Sequence, residues 1–292
     1  MYKIAILGCE NSHANSFLKH VQETDYKDKI EFIGVYSDED EAAQKLHDEF
    51  GVYVAKSYDE FVGKADAIIV TARHGDNHYK YAKPYIKSGI PMFIDKPITC
   101  TEADANAFMD ELIENDVPVF GGSVCVYTDH VQALKKAVKE ETYGKVMGGF
   151  LRAPLVADSP YGGFYFYSQH LAQITMEIFG NYPDSVIATN NGKHIDCILK
   201  YEGKNVHLSF TDDVWTFYAG INCVDKVVGD MFDWQVAFSK EFDAFYALVS
   251  ERKMAQSYKD FFAPVYVLNA IERALISGKE EKINRYEGKY NE

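Results

Sequence analysis

The residues best suited to chemistry stand in the stretch FIDKPIT, residues 93–99, where a lysine ends an apolar run. Lysine is seldom buried without a specific role, and a partly desolvated ammonium can donate to a ligand oxygen or give up its proton. Pro97 is expected to fix the turn that follows. Lys96 is therefore a candidate catalytic and substrate-binding residue. The alternative is a surface lysine that pairs with Asp95 in a sharp turn.

A second candidate site is the turn after the first apolar run, KIAILGCENSH. Gly8 stands where the first glycine of a dinucleotide-binding fingerprint allows a tight turn. The places of the other two glycines hold Glu10 and His13, which bring a negative charge and a bulky ring. Asn11 and Ser12 are good N-cap residues, and the N-terminus of a following helix can bind an anion, with His13 as a further donor. The turn is either an altered pyrophosphate site or a strand–turn–helix that binds no ligand.

The second apolar strand ends in VYSDED, where an acidic side chain could accept hydrogen bonds from the adenosine ribose of a dinucleotide. Asp38 fits this role, with Ser37 beside it. Because no arginine or lysine stands here, the stretch favours NAD over NADP. The alternative is helix capping, since Asp38, Glu39 and Asp40 all precede the next helical pattern.

Composition disfavours several classes of function. The chain has 292 residues and a formal net charge of −14, so long-range repulsion disfavours nucleic acid and anionic membranes as partners. No run reaches the ~18 apolar residues of a membrane span, and the start MYKIAILGCE is typical of a strand rather than a signal peptide. The five scattered cysteines indicate free thiols in a reducing cytoplasm, and the nine histidines show no metal-ligand spacing. We expect a cytoplasmic protein without a metal.

Strand and helix patterns alternate over the first 120 residues and predict a parallel sheet covered on both faces, with one short helix at YDEFVGKA. Beyond about residue 125, short β-branched and aromatic runs separated by turns predict a mostly antiparallel open sheet. The expected fold class is α/β. A doubly wound parallel sheet over residues 1–122 is followed by an α+β domain over residues 123–292, whose C-terminal helix packs back on the first domain.

Several stretches resemble motifs of one family of oxidoreductases. DKP at residues 95–97 resembles its Glu-Lys-Pro motif, and TARHGDNH, which contains His78, resembles its Thr-Pro-Asn…His segment. GGFYFYSQHLAQITMEIFG resembles its Gly-Gly…Asp…Gly-x-His…Asp…Phe-Gly segment and places His170 on the catalytic histidine. In order and spacing along almost the whole chain, these stretches are similar to the glucose–fructose oxidoreductase / inositol dehydrogenase / MocA (Gfo/Idh/MocA) family.

The resemblance implies a Rossmann-type first domain that binds NAD. It also implies a catalytic pair, Lys96 and His170. Tyr165 and Tyr167 lie close to His170 in sequence and are candidate donors, with Tyr167 the expected substrate-binding residue; the alternative is that either packs in the sheet or helix. The residues expected at the cofactor are Gly8, Glu10, Asn11, Ser12, His13, Ser37, Asp38, Thr71, Ala72, His78, Asp95 and Lys96.

The sequence departs from the family pattern at several of these places. Where the family has an aspartate four residues before the histidine and another three residues after it, this chain has Phe166 and Gln173. The glycine two residues before the histidine is Ser168, the arginine common after the sixth strand is Val126, and a proline is replaced by Ala72. Only the lysine and the histidine of the catalytic set remain.

We therefore expect an NAD-dependent oxidoreductase that transfers a hydride between nicotinamide and a carbinol carbon of a sugar, polyol or cyclitol. In this hypothesis His170 is the general base and Lys96 polarises the oxygen. The alternative is a ligand-sensing or regulatory protein that keeps the fold without turnover, which the missing aspartates and altered glycines favour.

The sheet domain is rich in aromatic residues, and not all of them can face inward on alternating strands. An exposed apolar patch is seldom tolerated by a monomer, so we expect a homodimer or homotetramer joined sheet to sheet. The alternative is that the aromatics cover the pocket and the core. The residues concerned are Phe150, Tyr201, Phe210, Trp215, Phe217, Tyr218, Phe232, Trp234 and Phe238.

Overall fold

The computed structural model describes residues 1–212 and 214–290. Its first sheet has five parallel strands: β1 (Tyr2–Leu7), β2 (Ile30–Tyr36), β3 (Ala67–Val70), β4 (Met92–Asp95) and β5 (Val119–Gly122). Their order is β2-β1-β3-β4-β5, and a single parallel bridge joins Val54 to Val35 on the outer edge of β2. With Val54 in the place of a third strand, this is the doubly wound order of dinucleotide-binding folds.

Helices cover both faces of this sheet, as the continuous apolar strands require. Four of them follow the strands in sequence: α1 (Ser12–Glu23), α2 (Asp40–Phe50), α3 (Gly75–Ile86) and α4 (Glu102–Glu114). Two more come from the C-terminal half of the chain: α7 (Phe238–Glu251) and α8 (Tyr258–Ser277). The core on one face is built with α1, α2 and α7, and the core on the other face is built with α3, α4 and α8.

The contacts of α7 and α8 with the first sheet are specific. On α7, the ring of Phe245 packs edge-on against Phe93 of β4, with centroids 5.7 Å apart. On α8, Arg273 pairs with Glu102 at the start of α4, with 2.7 Å between Nη1 and Oε1. The first parallel sheet is therefore completed by helices that the chain supplies last.

The second sheet has seven strands, ordered β11-β10-β6-β9-β8-β7-β12. They are β6 (Val146–Pro154), β7 (Ser185–Asn190), β8 (His194–Tyr201), β9 (Lys204–Thr211), β10 (Phe217–Cys223), β11 (Val227–Phe232) and β12 (Glu281–Lys282). All neighbours are antiparallel except β6 and β9, so the predicted fold class, with its mostly antiparallel second sheet, is confirmed. Its inner face packs on α5 (Asp129–Lys139) and α6 (Tyr165–Phe179).

Two local predictions were wrong. The stretch YDEFVGKA forms turns instead of a helix, because Gly63 adopts a φ of +74° that interrupts helical geometry. The run KVVGDMFDWQVAF is a strand only as far as Phe232, and α7 begins at Phe238. The aromatic side chains on this helix pack on the first domain, a long-range contact that the local pattern does not reveal.

The aromatic residues of the second sheet divide between its two faces. Phe210 and Phe217 are buried, whereas Phe150 is 46% exposed. Trp215, in the segment between β9 and β10, is 66% exposed. Within the part of the chain that the structure describes, no helix is both long and apolar enough to cross a membrane.

Candidate active site

Lys96 lies directly after β4, at the carboxyl edge of the parallel sheet, and the Lys96–Pro97 peptide bond is cis. The side chain is buried at 5% exposure, and Nζ lies 3.4 Å from the carbonyl oxygen of Phe166. The ammonium also lies over the rings of Phe166 and Tyr167, at 4.7 and 5.2 Å from their centroids. Burial lowers the pKa of Lys96, and the charge of Asp95 opposes this shift. Such a lysine can exchange a proton more readily than an exposed one.

His170 lies on α6 and faces the same cavity as Lys96. Its Nδ1 is 2.7 Å from Oγ of Ser123, the residue after β5. Burial lowers the pKa of His170 well below its usual value, and the charge of Lys96 adds to the shift. The imidazole is therefore neutral at pH 7, and its other ring nitrogen, Nε2, remains for a ligand.

Two glutamines on α6 hold this arrangement together. Gln173 accepts from the backbone N–H of Ser123 at 2.8 Å, and Gln169 accepts from the N–H of Ile98 at 2.8 Å. The side chain of Gln173 lies so close to Gly122 that a Cβ there would meet it at 2.5 Å. The helix is thus anchored to the ends of both β4 and β5. Gln173, where the resemblance implies an aspartate, therefore positions the helix in this structure.

His13 joins two buried carboxyl groups beneath the site. Its Nδ1 lies 3.2 Å from Asp95 and its Nε2 lies 3.2 Å from Glu241 on α7. Asp95 also accepts from Asn11 Nδ2 at 2.7 Å and from the backbone N–H of Lys96 at 2.7 Å. All three members of this carboxyl–imidazole–carboxyl cluster are buried.

The positions of the protons in this cluster follow from burial. Burial raises the pKa of Glu241 well above its usual value and lowers the pKa of His13. Burial also raises the pKa of Asp95, but the neighbouring charge of Lys96 opposes that shift, and two N–H donors favour its ionised form. We infer that Glu241 is protonated, His13 is neutral and Asp95 carries the charge.

This assignment predicts how stability changes with pH. A carboxyl whose pKa is raised by folding contributes its full stability below the unfolded value, and the contribution is lost as pH rises through the folded value. Glu241→Gln, which mimics the protonated acid, should match the wild type near pH 5 and unfold a few degrees higher at pH 8. Thermal unfolding measured from pH 5 to 9 checks this.

The control is Glu251→Gln, which changes an exposed glutamate on the same helix and should not alter the pH profile. If Glu241 is instead ionised against a protonated His13, Glu241→Gln will be less stable than the wild type at pH 8. That outcome would contradict the assignment.

Gly8 and the start of α1 form the turn expected to hold a pyrophosphate. Gly8 has a φ of +74°, and a Cβ there would lie 2.5 Å from the backbone of Ala72, so only glycine fits. The N-cap residue Asn11 makes no side-chain cap, because its amide donates to Asp95. Ser12 begins the helix, and its first N–H groups can therefore meet an anion.

Glu10 occupies the second fingerprint position, and its carboxylate is held by two donors. The hydroxyl of Ser37 donates to it at 2.7 Å and the backbone N–H of Arg73 at 2.9 Å. Asp38 accepts from the hydroxyls of Tyr36 and Tyr81.

The capping alternative for Asp38 is not what the structure shows. α2 has Glu39 at its N-cap without a side-chain cap, and Ser37 Oγ accepts from the N–H of Glu39 at 3.0 Å. Asp38 therefore caps nothing, and its role at a ribose stays a prediction.

Thr71, Ala72 and His78 lie around the end of β3. The hydroxyl of Thr71 donates to the carbonyl of Gly8 at 3.0 Å. The two ring nitrogens of His78 lie 2.8 Å from the carbonyl oxygen of Ala72 and 2.7 Å from that of Pro97. These residues tie the β1, β3 and β4 turns to one another, so they shape the site through the backbone.

The cavity at the carboxyl edge of the parallel sheet has a volume of about 340 Å³. Besides the catalytic pair, its lining includes Arg73, Tyr161, Phe166, Tyr167 and Trp234. Arg73 Nη1 donates to the hydroxyl of Tyr161 at 2.9 Å, and that hydroxyl contacts Glu39 at 3.0 Å. Sequence reasoning missed Tyr161, Ser123 and Glu241, which carry no local motif, and it did not single out Arg73 within the stretch TARHGDNH. Only the position of Ser123 after a core strand could have indicated it.

Outside the cavity, one cluster among the described residues brings three possible metal ligands together. The ligand atoms of His74, Asp76 and Cys100 all lie within 4.8 Å of one another. Burial raises the pKa of the Cys100 thiol to about 12, which disfavours the thiolate that a metal needs. The prediction that the chain holds no metal stays a prediction.

The strand order and the glycine turn at Gly8 are those of a dinucleotide-binding fold. Residues 2–123 match the Gfo/Idh/MocA model, which is described as an oxidoreductase family with an NAD-binding Rossmann fold. The predicted resemblance and its NAD-binding class are therefore confirmed over residues 2–123.

Solved structures share the fold over almost the whole chain. A putative myo-inositol dehydrogenase from Sinorhizobium meliloti 1021 is 17% identical, with a TM-score of 0.84, 97% of this chain covered and 100% of the other. Myo-inositol 2-dehydrogenase from Lactobacillus plantarum is 15% identical, with a TM-score of 0.84 and coverages of 97% and 99%. Scyllo-inositol dehydrogenase from Lactobacillus casei, solved with NAD(H) and scyllo-inositol, is 13% identical, with the same TM-score and coverages. No curated protein matches the chain.

The residues present fit a dinucleotide in most respects. The glycine-only turn at Gly8, the uncapped N-terminus of α1 and the polar ends of β2 and β3 all lie at the carboxyl edge of the sheet, where such cofactors bind. Glu10 is the one group that does not match, because its charge stands beside the expected pyrophosphate. Its two donors show that it is accommodated in the turn.

Proposed function

We propose that the chain is an NAD-dependent oxidoreductase that acts on a carbinol carbon of a sugar, polyol or cyclitol. The observation that carries the proposal is that Lys96 and His170 line one cavity at the carboxyl edge of an NAD-binding Rossmann sheet. The inositol dehydrogenases that share the fold support this substrate class. When bound, NAD supplies the hydride acceptor and donor.

The protein supplies orientation and a path for the proton. Lys96 donates to the reacting oxygen and holds it, and His170 Nε2 takes the proton that an alcohol releases on oxidation. The hydroxyl of Ser123 accepts from the N–H of Cys125 at 3.2 Å and still has a proton and a lone pair for His170 Nδ1. Ser123 can therefore support either tautomer, so His170 can take a proton in one direction and return it in the other.

The proposal is tested with a panel of inositols, alditols and aldoses incubated with NAD⁺ and followed at 340 nm. We expect NADH formation with at least one member of the panel, and its loss in Lys96→Met. If NADH binds but no member is oxidised and no ketone is reduced, the chain has the regulatory role instead.

Because Glu10 stands beside the expected pyrophosphate, we expect the chain to bind NADH more weakly than a variant without that charge. Removing the charge of Glu10 should tighten NADH binding roughly tenfold, because two like charges a few ångströms apart near a surface repel by about 1–4 kcal/mol. Fluorescence titration of Glu10→Gln measures this effect; its amide oxygen can accept from the N–H of Arg73, and its NH2 group can donate to the hydroxyl of Ser37.

Glu10→Gly serves as the second variant, since it also restores the fingerprint glycine. Unchanged or weaker binding by both variants would show that the carboxylate does not face the pyrophosphate. The same titration with NADPH checks the proposed preference for NAD, which rests on the acidic end of β2.

We also propose that copies of the chain pair through the second sheet. The outer face of the sheet exposes Met147, Phe150, Val227 and Met231, and an apolar patch of this kind is often an interaction surface. Light scattering at micromolar concentration should give at least twice the chain mass of 33.1 kDa. A monomer at that concentration would refute the proposal.

The five cysteines are free and buried, which suits a reducing compartment. We propose a cytoplasmic location on this ground.

A further inference from the structure

The cavity around Lys96 differs in charge from the rest of the protein. The chain as a whole has a net charge of −14. The described residues that line the cavity include two basic side chains, Lys96 and Arg73, two histidines, and no carboxylate. A ligand that enters this cavity therefore meets two basic side chains on its walls.

Lys96 forms no ion pair with a carboxylate of the described residues. It is 5% exposed, and within residues 1–212 and 214–290 no carboxylate lies within the 4.0 Å of an ion pair with Nζ. Its polar contact is a carbonyl oxygen at 3.4 Å, longer than a strong charge-assisted hydrogen bond. A buried cation in this state is costly, and a bound anion would reduce the cost.

Arg73 is the second cation and is placed to bind a planar anion. Nη1 donates to the hydroxyl of Tyr161 at 2.9 Å, and the guanidinium lies 5.1 Å from the centroid of that ring. In the described part of the chain it forms no ion pair with a carboxylate. Glu10 contacts only its backbone N–H, and Glu39 reaches it through Tyr161. The remaining guanidinium donors can form a forked pair with a carboxylate or a phosphate.

The other walls of the cavity suit a ligand that contains a small ring. Phe166, Tyr167 and Trp234 provide apolar faces, and the volume of about 340 Å³ is at the lower end of the ~300–1,000 Å³ of small-molecule pockets.

We propose that the substrate carries, besides its carbinol, an anionic group that Arg73 binds, so that it is a sugar or cyclitol acid or phosphate rather than a neutral polyol. This inference rests on the proposed oxidoreductase function and names its substrate class. Lys96 acts on the carbinol oxygen, and Arg73 determines specificity.

The test is a panel of nine compounds: the gluco, galacto and manno hexoses, each as the neutral sugar, the uronate and the 6-phosphate. With NAD⁺ and detection at 340 nm, we expect kcat/KM for an anionic member to exceed that of its neutral counterpart roughly 10- to 100-fold, the range of a charged hydrogen bond. A preference for uronates identifies the carboxylate source and a preference for 6-phosphates the phosphate source. Equal or better turnover of the neutral sugars would overturn the inference while leaving the proposed function intact.

The variant Arg73→Gln tests whether Arg73 causes the preference for anionic substrates. It keeps the backbone N–H that Glu10 accepts, and it should raise KM for the anionic substrate with a smaller change in kcat and no change in NADH affinity. Lys226→Gln removes one exposed charge on the second domain and is the matched control. If Arg73→Gln weakens NADH binding and leaves KM unchanged, the charge serves the cofactor and the inference is wrong.

A binding experiment tests the preference for an anionic ligand even if none of the nine compounds is oxidised. Tryptophan fluorescence, to which Trp234 in the cavity contributes, is titrated with the same compounds at low ionic strength. Tighter binding of the uronates or phosphates than of the neutral sugars, lost in Arg73→Gln, supports the inference. No binding, or binding without a charge preference, overturns it, whereas failure of oxidation alone counts only against the proposed function.

Discussion

Replacing Lys96 with methionine should reduce turnover about 10³-fold, within the ~10²–10⁴-fold that a positioned proton donor or acceptor contributes. The methionine keeps an apolar stem but removes the ammonium, which lies over the rings of Phe166 and Tyr167. Because the ammonium is buried without an ion pair to a described carboxylate, the variant should unfold at the same temperature or higher. Steady-state kinetics and thermal unfolding measure the two effects.

Lys96→Arg is the matched control, since it keeps a cation but cannot exchange its proton. If proton exchange matters, this variant will also be slow, whereas a purely electrostatic role would leave it active. NADH affinity should change only a few-fold in both variants. Near-normal kcat/KM in Lys96→Met would show that the DKP stretch is structural.

Replacing His170 with alanine should lower kcat by roughly 10²- to 10³-fold and remove the acid limb of the pH profile for oxidation. Burial lowers the pKa of His170 well below 6.5, so the wild-type rate should rise with pH and level off before that value. Ser123→Ala should lower kcat less, by about tenfold. It should also shift the pH at which the acid limb of the profile lies, because it removes the hydroxyl at 2.7 Å from Nδ1 of His170.

Ser168→Ala is the control for this pair. Ser168 is buried on the same helix, two residues before His170, and its hydroxyl has no hydrogen-bond partner among the described residues. Its loss should leave both kcat and the pH profile unchanged. A flat pH profile in the wild type, or an unaltered profile in Ser123→Ala, would contradict the proton path.

The sequence predicts the parts of this molecule that depend on local pattern. The continuous apolar runs indicate the parallel sheet, and Gly8 and Lys96 mark the turns at its carboxyl edge. These signals are local because a buried strand and the turn after it are encoded by neighbouring residues. The positions of Lys96 and His170 on one cavity follow from the same edge of the sheet and from the family resemblance.

Other parts of the site depend on contacts between distant segments. Glu241 lies on a helix that the pattern did not predict, and it reaches His13 across more than two hundred residues of chain. His13 was expected at the pyrophosphate, but its ring contacts two carboxyl groups instead. Ser123 contacts His170 only because α6 packs on the end of β5. No spacing in the sequence carries such information.

The central claim is that the cavity lined by Lys96 and His170 receives the nicotinamide end of NAD. A crystal structure of the chain with NAD⁺ at saturating concentration tests it most directly. We expect the pyrophosphate over the N-terminus of α1, at Asn11 and Ser12, and the nicotinamide ring in the cavity beside Lys96 and His170. A dinucleotide bound elsewhere, or one whose nicotinamide ring lies outside the cavity, would contradict the account.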